Sequence, residues 1–261
     1  MGTRMKQLRW ASVAALMLVA ACGGTAQPAT QPSPDRVKGN LSVFAAASLT
    51  ESFNAAGTLF KRLHPGVNVQ FNFAGTPTLL TQIQQGAVAD VFASADQTNM
   101  QKAVAGGLVT GTGKTFTKNK LEIVVAAGNP KHIIGLADLA RADVLFITEA
   151  PTVPAGKYGA QALSAAGVKA IPKSEEADVK SVISKVELGE ADAGIVYVTD
   201  VRAAGSKVSG VEIPDTANVI ATYPLAQLKD AKNPVAATAF IDYLLSPEGQ
   251  KLLMSFGFVQ A

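Results

Sequence analysis

The sequence predicts an α/β protein folded into two lobes with a ligand cleft between them. Short apolar runs typical of buried parallel strands alternate with segments of helical spacing, which favours parallel sheets and right-handed crossovers. The predicted strands are too numerous for one small sheet, so two lobes are expected. Residues 115–120 and 219–223 are candidate crossings between the lobes, and two crossings make a hinge beside the cleft.

The first half of the chain contains three predicted strand–helix units. Apolar runs predict strands at residues 41–47, 67–73 and 89–93. Apolar residues at helical spacing predict helices at residues 49–63, 79–85 and 98–105. A Gly-Gly pair follows the third helix and is typical of a helix end.

The second half continues the alternation. Strands are predicted at residues 121–127, 144–148, 193–198 and 218–223. Helices are predicted at residues 156–166, 179–188 and 235–246. Because the C-terminal helices are expected to return to the first lobe, residues 39–118 and 224–261 form lobe 1 in this prediction, and residues 119–223 form lobe 2.

The N-terminus has the layout of an export signal. Arg4, Lys6 and Arg9 precede an uncharged apolar run at residues 11–21, which is shorter than the about 20 residues of a membrane-spanning helix. Small residues lead into Cys22, and this arrangement resembles a bacterial lipobox. We therefore predict a lipoprotein signal peptide at residues 1–21 and a lipid on Cys22. The alternative is an ordinary signal peptide with an incidental cysteine.

The segment after the cysteine is rich in Pro, Thr and Gln and predicts a flexible tether at residues 22–38. The precursor has 23 Lys and Arg against 20 Asp and Glu, and the three basic residues in excess all lie in the signal peptide. The predicted mature chain is therefore formally neutral, so its charge does not indicate nucleic-acid binding. The prediction is a protein held by its lipid on the outer face of the cell membrane.

Few residues could carry enzyme chemistry. His64 and His132 are the only histidines, and each lies in a turn-like stretch close to a proline. The sequence has no HExxH, Gly-x-Ser-x-Gly or Walker pattern, and Cys22 is its only cysteine. We predict no enzyme activity, no cofactor and no metal site. An extracytoplasmic enzyme or an adhesin on a lipid anchor remains the alternative from a different class.

Several predicted helices begin directly after strands with residues suited to capping. Ser48 and Glu51 have the spacing of a capping box, Thr76 is a candidate N-cap before Pro77, and Asp178 is a candidate N-cap of a later helix. Helix N-termini present free N–H groups and the positive end of the helix dipole. Several that converge on one point would form an uncharged anion site.

Five runs of sequence resemble the molybdate-binding proteins of bacterial ABC transporters, which have the type II periplasmic-binding-protein fold. The resemblance extends from about residue 41 to residue 258. The runs are FAAASLTESF at 44–53, QIQQGAVADVFASAD at 82–96, VPAGKYG at 153–159, DAGIVYVTD at 192–200, and the block at 222–258. The first two are typical of the oxyanion-binding branch, whereas the C-terminal block is shared more widely.

The resemblance implies a ligand held only by hydroxyl and backbone N–H donors. Position by position, it assigns the ligand to Ser48, Thr76, Ala155, Val179 and Tyr197. Hydroxyls would come from Ser48, Thr76 and Tyr197, and backbone N–H groups from Ala155 and Val179. Thr76 departs from the family, since many relatives have a serine there within a Ser-Ser-Ser run.

A donor-only site suits a fully deprotonated tetrahedral dianion. The O–H of hydrogen phosphate would be left unpaired there at a cost of about 1–3 kcal/mol. Molybdate and sulfate both lack a proton, so only size separates them. The resemblance implies molybdate, and tungstate with it, as ligand, a membrane permease as partner, and a monomer. Sulfate or a small organic anion is the alternative within the class.

Overall fold

The structure is a computed structural model that describes residues 37–261. The predicted signal peptide, Cys22 and all of the predicted tether except its last two residues lie outside the described residues. Within residues 37–261, no helix is long and apolar enough to cross a membrane.

Ten strands and eight helices make up the described chain. The strands are β1 (Gly39–Ala46), β2 (Val67–Ala74), β3 (Val91–Ala93), β4 (Lys114–Asn119), β5 (Leu121–Ala126), β6 (Phe146–Glu149), β7 (Glu175–Glu176), β8 (Ala193–Tyr197), β9 (Val208–Glu212) and β10 (Ala221–Gln227). The helices are α1 (Thr50–Leu63), α2 (Thr76–Gln84), α3 (Gln97–Ala105), α4 (Pro154–Ala165), α5 (Val179–Glu187), α6 (Val198–Ala204), α7 (Pro234–Leu245) and α8 (Pro247–Ser255).

The strands form two five-stranded sheets, which confirms the α/β class and the two lobes. The first sheet has the order β2-β1-β3-β10-β4, and the second has the order β7-β6-β8-β5-β9. The prediction of parallel sheets holds in part, because β1 is parallel to β2 and β3, and β6 is parallel to β7 and β8. β10 runs antiparallel to β3 and β4, and β5 runs antiparallel to β8 and β9. These strands enter their sheets from the other lobe, so no crossover helix forces them to be parallel to their neighbours.

Helices cover both faces of the first sheet. Phe44 and Phe92 point towards α2 and α3, where they pack in a cluster with Leu79 and Met100. The neighbouring strand residues face α1, α7 and α8 on the other side, because successive side chains of a strand alternate. There Phe53 of α1 contacts the ring of Phe240 with centroids 5.9 Å apart, which joins α1 to α7.

The second sheet is covered in the same way by α4 on one face and by α5 and α6 on the other. Ile195 of β8 contacts the backbone of Gly159 in α4, and the adjacent Gly194 lies against Val182 of α5. Both glycines leave room for a close approach, since an added Cβ at Gly194 would overlap the Val182 side chain. The helices therefore lie close to the sheet, with their N-termini near its carboxyl edge.

The chain passes between the sheets twice. Lys120 alone separates β4 from β5, and the return lies between Glu212 at the end of β9 and Ala221 at the start of β10. The candidate crossings at residues 115–120 and 219–223 adjoin these two passages, the first largely within β4 and the second running into β10. The lobe boundaries predicted after residues 118 and 223 thus fall inside strands of the first sheet.

Candidate functional site

A small cavity lies between the two sheets, at the ends of their strands. All five residues that the sequence assigned to a ligand line it, namely Ser48, Thr76, Ala155, Val179 and Tyr197. The cavity is small, with an empty volume of about 200 Å³. The cavity therefore suits a compact ion.

The Ser48 side chain is hydrogen-bonded to a residue far along the chain. It lies in a short 3-10 turn between β1 and α1, and its Oγ is 2.9 Å from the Tyr223 hydroxyl of β10. The predicted capping box is wrong, because Leu49 is the N-cap residue of α1 and no side chain caps it. Ser48 lies inside the 3-10 turn, one residue before the N-cap position of α1. Its hydroxyl therefore bonds to the tyrosine and not to the helix backbone.

Thr76 is the first residue of α2 and does not cap it. The N-cap residue is Gly75, with no side-chain hydrogen bond, so the predicted capping role of Thr76 is wrong. Instead, Thr76 Oγ1 accepts a hydrogen bond of 3.2 Å from the Ala95 N–H, in the loop after β3. The hydroxyl proton of Thr76 keeps its capacity to donate.

The two lobes approach each other closely at Gly75. A Cβ atom added there would overlap the carbonyl oxygen of Ala177, which precedes α5 on the second lobe. The Gly75 backbone itself is ordinary, with φ of −55°. The glycine is therefore required by the opposing backbone rather than by its own conformation.

The N–H groups at the start of α4 are occupied by a carboxylate. Glu149, the last residue of β6, accepts hydrogen bonds at its Oε2 from Ala155 N–H at 2.8 Å and from Gly156 N–H at 3.2 Å. Ala155 therefore has an internal acceptor in this structure. A negative side chain at a helix N-terminus is electrostatically favourable.

The predicted Asp178 cap of α5 is confirmed. Its Oδ1 accepts from the Ser181 N–H at 2.9 Å, so the cap uses an N–H group further along the first turn. Val179 is the first residue of the helix, where N–H groups have no partner within the helix. Its N–H is available at the cavity wall.

Tyr197 brings a buried hydroxyl to the cavity from the end of β8. The residue is 1% exposed, and its hydroxyl has no hydrogen-bond partner within the described chain. Burial raises the pKa of Tyr197 well above its ordinary value, so the phenol keeps its proton and can donate it. Such an unpaired buried polar atom calls for a partner that the protein does not supply.

No lysine, arginine or histidine is among the described residues that line the cavity. Its one ionisable acid is Glu149, which the sequence analysis missed, so the expectation of donors without any acceptor is incomplete. Burial, together with the negative charge of Asp200, raises the pKa of Glu149 to about 8, although two backbone N–H bonds oppose the rise. The available signal was an acid at a strand end followed closely by a helix start.

The geometry provides for the binding of a small anion. His64 and His132 are not among the cavity-lining residues. Between residues 37 and 261, no group of three or more His, Cys, Asp or Glu side chains could hold a metal ion. The cavity offers hydroxyl and N–H donors from both lobes around a space sized for a small anion.

Comparisons with known proteins agree with this description. The family model of bacterial extracellular solute-binding proteins matches residues 41–259. The molybdate-binding protein ModA of Mycobacterium tuberculosis is 40% identical, over 97% of this chain and 100% of that protein. A putative ABC transporter substrate-binding lipoprotein of Bacillus subtilis, YvgL, is 32% identical over 95% of both chains.

Among solved structures, the substrate-binding domain of a putative molybdenum ABC transporter from Clostridium difficile has the same fold. It aligns with a TM-score of 0.64 and 31% identity, and the alignment covers 85% of this chain and 99% of that one.

Proposed function

The chain belongs to the family of bacterial extracellular solute-binding proteins, and from this premise we propose that its solute is molybdate, which it delivers to an ABC permease. Tungstate, a tetrahedral dianion of nearly the same size, is proposed as a second ligand. The family binds solutes, so we assign no catalytic residue and no cofactor.

One observation carries the proposal. The five positions assigned to an oxyanion from the sequence, spread from residue 48 to residue 197, line a single cavity. Three of them have hydroxyl groups and two lie in the first turn of a helix. We propose that Ser48, Thr76 and Tyr197 donate O–H groups to the anion and that Ala155 and Val179 donate backbone N–H groups.

The chemistry of these donors favours a dianion without protons. Each oxygen of molybdate can only accept hydrogen bonds, which matches hydroxyl and N–H donors. Sulfate has the same acceptor chemistry but is smaller, so donors fixed on two closed lobes at the spacing of the larger ion would leave its hydrogen bonds too long. Hydrogen phosphate would leave its O–H unpaired.

Calorimetric titration of the purified protein with a panel of anions tests the proposal. We expect binding of molybdate and tungstate, much weaker binding of sulfate, and none of phosphate. Sulfate binding as tight as that of molybdate would overturn the molybdate assignment. Binding of a small organic anion alone would place the protein elsewhere in the same family.

The location and the partner are part of the proposal. We propose that Cys22 carries a lipid, that residues 22–38 tether the domain to the outer face of the membrane, and that the protein works as a monomer. The lipoprotein relative from Bacillus subtilis supports this arrangement. Mass spectrometry of the mature N-terminus tests it, since an unmodified terminus at another residue would contradict the lipid anchor.

A further inference from the structure

Glu149 is the one carboxylate in the wall of the cavity. It is 3% exposed, and it lies on β6 at the edge from which α4 begins. Its Oε2 accepts hydrogen bonds from the N–H groups of Ala155 and Gly156, so the Ala155 N–H proposed for the anion would be shared with this carboxyl group. An anion in the cavity is therefore placed next to a second acid, among residues that are largely buried.

The charges around Glu149 do not neutralise it. Titratable groups on the neighbouring elements are Asp200 on α6, Asp178 and Lys180 on α5, Tyr197 on β8, and Glu176 on β7. On α4, Lys157 donates to Thr98, and Tyr158 lies beside it. Lys180 is held by Asp200 and Glu51, and Glu176 is paired with Lys185.

The ionised form of Glu149 is incompatible with a dianion in this cavity. Three negative charges would lie together with no cation in the wall and little water to screen them. The neutral form has the opposite effect, since a protonated carboxyl has an O–H group that can donate to the anion. Protonation thus converts the one acceptor of the site into a further donor.

We propose that Glu149 is neutral whenever the anion is bound, so that molybdate capture adds one proton to this side chain wherever the empty protein has it ionised. The inference rests on the proposed function, because it needs a dianionic ligand in this cavity. The proton comes from the solvent and adds to a Glu149 carboxylate oxygen. No other bond changes.

Because protonation of Glu149 and molybdate binding are linked, the pKa of Glu149 sets how the molybdate affinity changes with pH. Burial and Asp200 raise the pKa of Glu149 to about 8, so below that pH the empty protein already has the proton and affinity is flat. Above it the proton must be taken up, so affinity falls towards tenfold per pH unit. Burial raises the pKa of Tyr197 and Tyr223 far above this range, so both phenols stay protonated.

Titration calorimetry with molybdate tests the coupling. The protein is titrated between about pH 7 and about pH 9.5, at each pH in two buffers of different ionisation enthalpy, which gives the number of protons taken up. We expect the count to rise from near zero to near one. In Glu149→Gln the side chain keeps its shape and an N–H donor but has no proton to titrate. The molybdate affinity of this variant should therefore not change with pH, and it should take up no proton on binding.

Glu176→Gln is the matched control. Glu176 is the register neighbour of Glu149 on β7, but it does not line the cavity, so this variant should keep the slope of the unmodified protein. If the unmodified protein binds molybdate with no proton uptake and no loss of affinity at high pH, the inference is wrong and the proposed function stands. If it does not bind molybdate at any pH, the proposed function itself fails. The proton count of the unmodified protein decides the matter even if a variant misfolds.

Discussion

Lys180 of the second lobe forms an ion pair with Glu51 of the first lobe, with Nζ 2.8 Å from Oε2. The same ammonium lies 3.3 Å from Oδ1 of Asp200, whose side chain is fully buried. Lys180 lies in the first turn of α5 and Glu51 in the first turn of α1, so the pair joins the two lobes. The described structure is therefore that of a closed cleft.

Removing this ion pair should favour the open form. In Glu51→Gln, which leaves the pair between Lys180 and Asp200 in place, we expect molybdate affinity to fall about fivefold, the equivalent of about 1 kcal/mol for a partly exposed pair. Small-angle scattering should show a larger radius of gyration without ligand. Glu187→Gln is the control, since Glu187 pairs with Lys207 within the second lobe. Unchanged affinity and radius in Glu51→Gln would contradict a role in closure.

Tyr197→Phe should weaken molybdate binding without lowering the stability of the empty protein. The hydroxyl is buried without a described partner, so its removal should not lower the free energy of unfolding of the empty protein. Molybdate binding should weaken by about 1.5–3 kcal/mol, the scale for a hydrogen bond to a charged group. Tyr223→Phe provides the contrast, because it breaks a buried bond to Ser48 and should destabilise the empty protein in urea. Tight binding by Tyr197→Phe would remove the phenol from the ligand set.

Thr76→Val should weaken both stability and binding, for a reason other than helix capping. Valine keeps the shape but leaves the buried Ala95 N–H without its acceptor, at a cost of about 1–3 kcal/mol. Thr76→Ser should retain both properties. Amide exchange at Ala95 should accelerate in the valine variant alone. If only stability falls and molybdate binds as in the parent, Thr76 supports the loop without touching the anion.

Gly75→Ala should prevent complete closure. The new methyl group would meet the Ala177 carbonyl oxygen of the other lobe, while the backbone at Gly75 accepts alanine without strain. We expect more than a tenfold loss of molybdate affinity and an unchanged melting temperature of the empty protein. Gly135→Ala is the control, since nothing lies within 4 Å of its added Cβ. Equal affinities in the two variants would disprove the contact.

Stability should fall as the pH rises from about 4.5 to about 8. Glu149 has its ordinary pKa of 4.5 in the unfolded chain and about 8 in the folded protein, so the folded state binds more protons within that window. Asp200, whose pKa burial raises to about 6, acts in the same direction at the lower end. Urea unfolding across this range should show the fall, and Glu149→Gln should reduce it. A stability that rises with pH would contradict the neutral buried acid.

The local sequence pattern was sufficient for most elements of the fold. Predicted and observed bounds agree to within a few residues for α1, α5 and β8, because each has an apolar face at the period of its element. β9 and α6 were missed, since both are short and carry few large apolar residues. The direction of β10 was not predictable, because strand pairing depends on residues far apart in the chain.

In the candidate site too, features set by the local sequence were predictable, and features set by contacts between distant residues were not. The family resemblance indicated five positions, and the capping role of Asp178 followed from its place before an apolar helix. The roles of Ser48 and Thr76 were misjudged, because their partners Tyr223 and Ala95 are distant in sequence. Glu149 was missed although it ends a strand shortly before a helix begins, because that pattern alone does not indicate burial. Only the tertiary structure shows that it lies in the cavity.

The position of β10 has a consequence for how the protein is made. β4 is an edge strand, and its partner within the first sheet is β10, which is encoded after the entire second sheet. The first sheet therefore cannot be completed until the ribosome has passed Gln227, and α7 and α8 follow later still. Folding with such distant pairings is slow because the loop must close first. The first sheet of a nascent chain therefore stays open until its last strand has been made, which would keep the chain unfolded for the proposed export.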